Sequence, residues 1–566
     1  MKRVLLLLAA ACAFAPVAVA GGPTPYHAVT AAPTGLHAFL LRPDEAPQPY
    51  YPRTPSFAWS PVDARGGSYD FELSTSRKFD DSSVLFTYTN VKMPAIAIPH
   101  QLPWMTGVPF ALWAHVRWES ADGKHVTPWS EPFGFNMRWT DSDYPQQLPA
   151  PEGLIRWKPI EGATRYEVLY PDINGATAFQ TTTNVADERE FFTFHSFMGY
   201  STIHWRVRAV RYIDDKDVLK NGLPRVSYGP WSKVFTTVNP PQSLGTLTPT
   251  DTVSDVWDKK GEPAAPHELT PGFAWTPSAP WVTTVSSFGS ALYRVYVATD
   301  DHCVNVVFKG SIVGSPAYAP RTYGGPLQLP QSSSTLAQWT GPPYLMVAGG
   351  TEGRAYDAAG ADVKSNEVPV ASSTGSSTGP ALASVDLWDS GWPNGRYYWT
   401  VVPVSVQTYG PPDPKANDQP LQYHEMAVPQ DECEAGYGMS FGKISEPVVT
   451  QAGTPWVAGL APNGRVVASA SKVPAVHDSP LVAWEPAVGA QTYEVQLSKT
   501  KYPWRTTWKT TTPATSIVLP LGRSAVGSWW YRVRGINPAL PSGAQEMSWS
   551  SPVRLRVTGD SFVVVK

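Results

Sequence analysis

Apolar and polar residues alternate in short runs along this chain. In Tyr69-Asp70-Phe71-Glu72-Leu73 every second side chain is apolar, so an extended strand puts Tyr69, Phe71 and Leu73 on one face and Asp70 and Glu72 on the other. The pattern recurs in Tyr166-Glu167-Val168-Leu169-Tyr170, Tyr293-Arg294-Val295-Tyr296-Val297 and Tyr493-Glu494-Val495-Gln496-Leu497. Each run follows a Trp-x-Pro step, at Trp59, Trp157, Trp275 and Trp484, by nine or ten residues in three copies and by eighteen in the third. The third copy therefore carries an insertion. Downstream comes an aromatic-rich alternating strand, at Leu112–Arg117, Ile203–Ala209, Tyr398–Val402 and Trp530–Arg534. Last in each copy is a turn before a closing strand: Pro128-Trp129-Ser130-Glu131-Pro132, Pro230-Trp231-Ser232, Ser445-Glu446-Pro447 and Ser548-Trp549-Ser550-Ser551-Pro552. One face of every strand is predicted to be buried and the other wet.

All four copies, taken in order, resemble the fibronectin type III family, and together they cover most of residues 35 to 558. The resemblance implies an all-β chain of four tandem fibronectin type III-like (immunoglobulin-like) β-sandwiches, the third with long insertions. The first copy departs slightly, since Trp113 stands three residues before Val116 where the second and third have two, and the third copy's turn lacks the Trp. The expected organisation is a signal peptide at 1–20, a flexible leader at 21–34, and domains at 35–140, 146–240, 242–450 and 464–560, strung as separate beads. Linkers are expected near 144–150, 240–242 and 451–463.

Composition agrees with strands separated by turns: 566 residues, 12% aromatic, 58 Pro, 44 Gly and 16% charged. With 44 Lys plus Arg against 47 Asp plus Glu, the net charge of −3 gives no general attraction to nucleic acid or an anionic membrane. The opening residues, Lys2-Arg3, an apolar run from Val4 to Ala15 and Ala18-Val19-Ala20, have the layout of a cleaved signal peptide. Cys12 offers the alternative of a lipoprotein signal, although no Leu stands three positions ahead of it. A secreted, extracellular protein, either free or held at the cell surface, is expected, with no membrane insertion after cleavage. Only Cys303 and Cys433 would then remain, and in an oxidising compartment a disulfide between them is predicted.

Motifs for chemistry are weak. Gly375-Ser376-Ser377-Thr378-Gly379 fits Gly-x-Ser-x-Gly but sits in a Ser/Thr/Gly tract without the strand and helix a nucleophile elbow needs. Ser469-Ala470-Ser471-Lys472 is followed at once by Val473-Pro474, which denies it a helix. No His-Glu-x-x-His or paired Cys-x-x-Cys spacing occurs, so no metal or other cofactor is expected, and Asp214-Asp215-Lys216-Asp217 and Asp141-Ser142-Asp143 read as solvated turns rather than calcium loops. Trp257, Trp281, Trp339, Trp388, Trp392, Trp504 and Trp508 lie outside the repeat. Of these, Trp504 and Trp508 with Tyr502 form the tightest candidate patch for an extracellular protein or glycan. The expected role is a non-catalytic scaffold or adhesion-type binding protein. The alternatives are the carbohydrate-binding accessory region of a polysaccharide-acting system, or a secreted hydrolase with its site in the 310–390 insertion.

Overall fold

The computed structural model describes residues 29–62, 67–138, 144–172, 175–181, 183–187, 201–239, 247–253, 271–276, 292–310, 313, 316–319, 353–356, 362–363, 368–371, 380–383, 395–408, 421–443, 457–460, 466–469, 473–487, 489–537 and 546–558. The expected signal peptide, most of the 310–390 insertion, Gly375–Gly379, Asp141–Asp143 and Trp257, Trp281, Trp339, Trp388 and Trp392 lie outside the described residues. Within them the chain is nearly all β; eight of the nine sheets fall into four pairs of one smaller and one larger sheet, and the ninth is the two-stranded Val368–Ala371 with Pro380–Ala383.

In the first pair, His37–Phe39, Ser56–Ala58 and Ala95–Ala97 form the small sheet, and Tyr50–Tyr51, Phe133–Met137, Leu112–Glu119, Ser68–Ser74 and Val84–Val91 the large one, in that spatial order. The fourth pair repeats this plan, with Val466–Ser469, Val457–Leu460, Asp478–Ala483 and Ser516–Val518 against Ala475–Val476, Val553–Val557, Gly527–Ile536, Thr492–Ser498 and Thr506–Thr512. The second and third pairs are built around Arg165–Asp172 beside Ser201–Tyr212 and Leu292–Ala298 beside Gly395–Thr408. In all four the run that the alternation predicted is a central strand, antiparallel to the aromatic-rich strand.

The Trp-x-Pro step explains itself in the core. Trp59, Trp157, Trp275 and Trp484 are all buried, and each meets the first Tyr of the following run edge-on, with ring centroids 5.1, 5.4, 5.3 and 5.5 Å apart. In three copies that Tyr hydroxyl, at the inner edge of the sandwich, accepts the N–H of the residue just past the Pro: Val62 to Tyr69 at 3.0 Å, Ile160 to Tyr166 at 2.9 Å, Ala487 to Tyr493 at 3.0 Å. Burial raises the Tyr493 hydroxyl to about 12, so it stays a neutral partner across the physiological range.

The strung-bead expectation does not hold. A single apolar cluster runs from Phe57 and Trp59 of the first sandwich through Trp157 and Trp205 of the second. Arg211 of the second is buried and donates to the Leu102 carbonyl of the first at 2.6 Å and to Gly162 O at 2.8 Å, while Arg53 of the first pairs with Glu161 of the second at 2.6 Å. The backbones come so close that a Cβ on Gly162, which has φ +80°, would lie 1.9 Å from Pro52 O. A short helix, Lys216–Lys220, packs Val218 with Ile213, Leu85 and Phe86 on the same boundary. Its N-cap Asp215 is also held by the His100 ring at 3.1 Å and the Gln101 N–H at 3.2 Å.

The fourth sandwich docks back onto the first through the outer faces of the two small sheets. Phe39, Ala58, Met93 and Ala95 pack on Ala458, Leu481 and Val518. Ser56 and Ser516 hydroxyls meet at 2.6 Å, and Thr515 donates to Leu40 O at 2.8 Å, across 460 and 475 residues of sequence. Leu154 and Val185 of the second sandwich join Ala274, Ala317 and Ala319 of the third, and Ala319 N–H donates to Asp187 at 2.8 Å. A cavity of about 210 Å³ with a mixed lining lies where first, second and fourth meet, between Ile160, Pro486 and Ala487 on one hand and Arg53, Glu161 and Arg211 on the other. A larger one, about 790 Å³, opens between first and fourth beside Lys92, Trp118, Asp478 and Arg523.

Candidate functional site: aromatic and cationic outer faces

Strand alternation places one side of each large sheet away from the core, and three of these outer faces carry the same device. In the fourth sandwich the register sets Trp530 beside Ser498, Arg532 beside Gln496, and Arg534 beside Glu494. The Trp549 indole lies under both guanidinium groups, 4.1 Å from Arg532 and 4.5 Å from Arg534, and Trp504 covers Arg532 from the loop at 4.3 Å. Arg534 donates from Nε, at 2.8 Å, and from Nη2 to a single Glu494 oxygen, Oε2, and also meets Glu546. Gln496 Oε1 accepts from Arg532 at 2.9 Å and from the Trp504 indole at 3.0 Å. Burial under the two indoles pushes the Arg532 guanidinium down, and neighbouring Arg534 pushes the same way.

The second sandwich repeats this with Trp231 against Arg206 at 4.6 Å and Arg208 at 4.5 Å, Arg208 being paired with Glu167 at 2.7 Å. In the first, one cation is replaced: His115 stacks between Phe79 at 3.5 Å and Trp129 at 3.8 Å and bonds Glu72 at 2.8 Å, while Arg117 lies 4.5 Å from Trp129 and pairs with Asp70 at 2.9 Å. Burial, the largest influence, holds the His115 imidazole below its ordinary value, with Glu72 opposing.

What brings the Trp there is the Ser that follows it. Ser130, Ser232 and Ser550 each exchange two hydrogen bonds with a valine of the aromatic-rich strand: the serine N–H donates to Val116, Val207 or Val533 at 2.8 Å, and the valine N–H donates to the serine hydroxyl at 3.1, 3.0 and 3.0 Å. The Trp-Ser turn is thus a clip that lays an indole over the strand's outward residues.

The third sandwich, whose turn has no Trp, solves the face differently. Arg294 occupies the position of Asp70, Glu167 and Glu494 and is fully buried with Glu425, which also bonds the Tyr296 hydroxyl. The segment through Leu421–Glu425 and the helix Pro429–Glu434 packs along this strand pair, fixed by the disulfide Cys303–Cys433 (Cα–Cα 6.0 Å). The predicted bridge is present.

Of the predicted surface residues, Tyr502 is 75% exposed and shares its loop with Trp504. Trp508 does not join them. It pairs in register with the inward Leu497 and packs on the core of the fourth sandwich. Asp215 uses its oxygens on His100 and on the N–H groups of Gln101, Asp217 and Val218, so this one residue of the acidic stretch is built into a boundary between sandwiches, while Asp214, Lys216 and Asp217 are exposed. Ser469 ends a strand. Sequence reasoning missed the role of Trp129, Trp231 and Trp549, which it read only as part of the turn before the closing strand. The missing signal was an Arg or His one residue either side of the Val that each Trp-Ser turn faces: His115/Arg117, Arg206/Arg208, Arg532/Arg534.

No protein family model matches the chain, and no curated protein matches it. Among solved structures, the crystal structure of chicken CNTN1 FN1-FN3 domains is similar over 70% of this chain and 98% of that one, at 12% identity and a TM-score of 0.14. Among the described residues no helix is long and apolar enough to cross a membrane.

Proposed function

We propose that this chain is a non-catalytic extracellular scaffold of fibronectin type III-like repeats, with domains at 35–140, 146–240, 242–450 and 464–560, whose sandwiches present binding faces from one rigid block. The observation that supports it most is that the outer faces of three sheets carry the same stacked aromatic and cationic ladder, with its ions hydrogen-bonded to one another. Such groups are held for shape and charge: a carboxylate paired with a guanidinium is a weaker base than a free one. The desolvated boundaries between sandwiches give the faces fixed relative positions, as a multi-site binder requires. The disulfide fits an oxidising compartment.

The test is a glycan and protein array probed with the purified mature chain, run beside a hydrolysis screen. Binding without turnover is expected. Turnover that disappears on deleting 310–390 would replace this reading with the hydrolase.

A further inference from the structure

We infer that the outer face of the large sheet in the fourth sandwich binds an acidic polysaccharide, one bearing carboxylate or sulfate groups; this rests on the scaffold reading and names its ligand class. The register alone assembles the face. Lys509 stands beside Gln496 and Gln496 beside Arg532; Trp530 stands beside Arg554; Ser528 stands beside Arg556. Lys501 and Arg505 flank Trp504 on the adjoining loop and are exposed. Against these seven cations, counting Arg534, the face offers two carboxylates among the described residues, Glu494 and Glu546, and both are engaged by Arg534. A local excess of positive charge therefore sits on a chain whose net charge is −3.

The cations outside that ion-paired row are poised rather than spent. Arg554 donates to the neutral Ser528 hydroxyl at 2.7 Å and lies 5.6 Å from the Trp530 ring, and no carboxylate pairs with Arg554 or Arg556 among the described residues. Strands about 4.8 Å apart set these groups in a flat array rather than a pocket. The array suits an extended chain: guanidinium forks take carboxylate or sulfate oxygens two at a time, and the faces of Trp530 and Tyr502 take the apolar sides of sugar rings. A flat sheet bearing indoles beside cations favours a glycan over a duplex nucleic acid, whose grooves need a protruding helix or ribbon.

The experiment uses the mature chain with polygalacturonate, dextran sulfate, neutral dextran and a duplex DNA oligonucleotide, titrated calorimetrically at about 50 mM and about 300 mM NaCl. Expected are binding of one or both acidic glycans, no binding of neutral dextran, and weakening in the higher salt. Arg554→Ala with Arg556→Ala should lower that affinity about tenfold or more. Lys220→Ala with Lys233→Ala, an equal charge loss on the second sandwich, should leave it unchanged. Trp530→Phe should retain more affinity than Trp530→Ala, with thermal scans of each variant confirming the fold. Failure to bind either acidic glycan, equal losses in both double variants, or equally tight binding of DNA overturns the inference. Neutral dextran bound without turnover would remove the ligand class and keep the scaffold, whereas turnover of any glycan would remove the scaffold reading itself.

Discussion

Phe39 and Leu481 lie 442 positions apart in sequence, yet both are fully buried in one cluster between the first and fourth sandwiches. Neither serves the core of its own sandwich, because the neighbours Ala38 and Val482 point the other way, into the two separate cores. Truncating either to Ala should cost about 2–5 kcal/mol if the small sheets stay docked, since each leaves a cavity in a closed interface. If the sandwiches were free beads, both side chains would face water and the change would be nearly neutral. The pair is therefore best examined as a double-mutant cycle, Phe39→Ala and Leu481→Ala alone and together, by calorimetry of the full chain. Docking predicts a coupling energy of about 0.5–3 kcal/mol, because the second truncation lands in an interface the first has already loosened. Leu481→Asp, which buries an unpaired charge, should undock the fourth sandwich outright and enlarge the radius of gyration in small-angle scattering. Additivity within about 0.5 kcal/mol, with an unchanged scattering profile for Leu481→Asp, would refute the docked arrangement.

Gly162→Ala should loosen the boundary between first and second sandwiches by more than about 1 kcal/mol, read as new protease cleavage there, because positive φ and the Pro52 carbonyl both exclude a Cβ. Trp157→Ala should cost about 3–5 kcal/mol and, contrary to the bead picture, broaden or shift the transitions of both sandwiches in calorimetry, since their cores are continuous. Trp549→Ala, which empties a half-buried stack on two guanidinium groups instead of a core, should cost less than Trp157→Ala by the same measurement. Because burial lowers the folded-state His115 value below the ~6.5 of an unfolded imidazole, stability should be full above about pH 6.5 and fall as pH drops from there toward the folded value; His115→Asn should flatten that slope in denaturant midpoints, and an unchanged slope would refute it. Unreduced mature protein should show no reactive thiol, and reduction of a bridge spanning 130 residues should destabilise the third sandwich by about 4–5 kcal/mol.

Much of each sandwich was legible along the chain because a strand's side chains alternate, so the parity of a position fixes its face. Trp205 and Trp399 stand two residues before Val207 and Val401 and share their core face; Trp113 and Trp530 stand three before Val116 and Val533 and lie on the opposite face, Trp113 covered there by Phe110 and Arg77. The spacing that looked like a small departure in the first copy is this change of face. The Trp-x-Pro step, its Tyr partner and the disulfide were likewise readable, since each depends on residue type and near-neighbour spacing.

The second face was not readable. Ser56-Phe57-Ala58 is buried on both sides, and nothing within those three residues tells whether Ala58 meets water or Leu481. The same holds for Arg211, an ordinary surface residue by its sequence, whose guanidinium is buried against the carbonyls of Leu102 and Gly162. Alternation is a local steric property and so determines which side of a strand is apolar. What covers the other side depends on distant segments reaching the same place, and only the tertiary structure decided that the first and second sandwiches share a core, that the fourth closes onto the first, and that the aromatic and cationic faces are left turned outward.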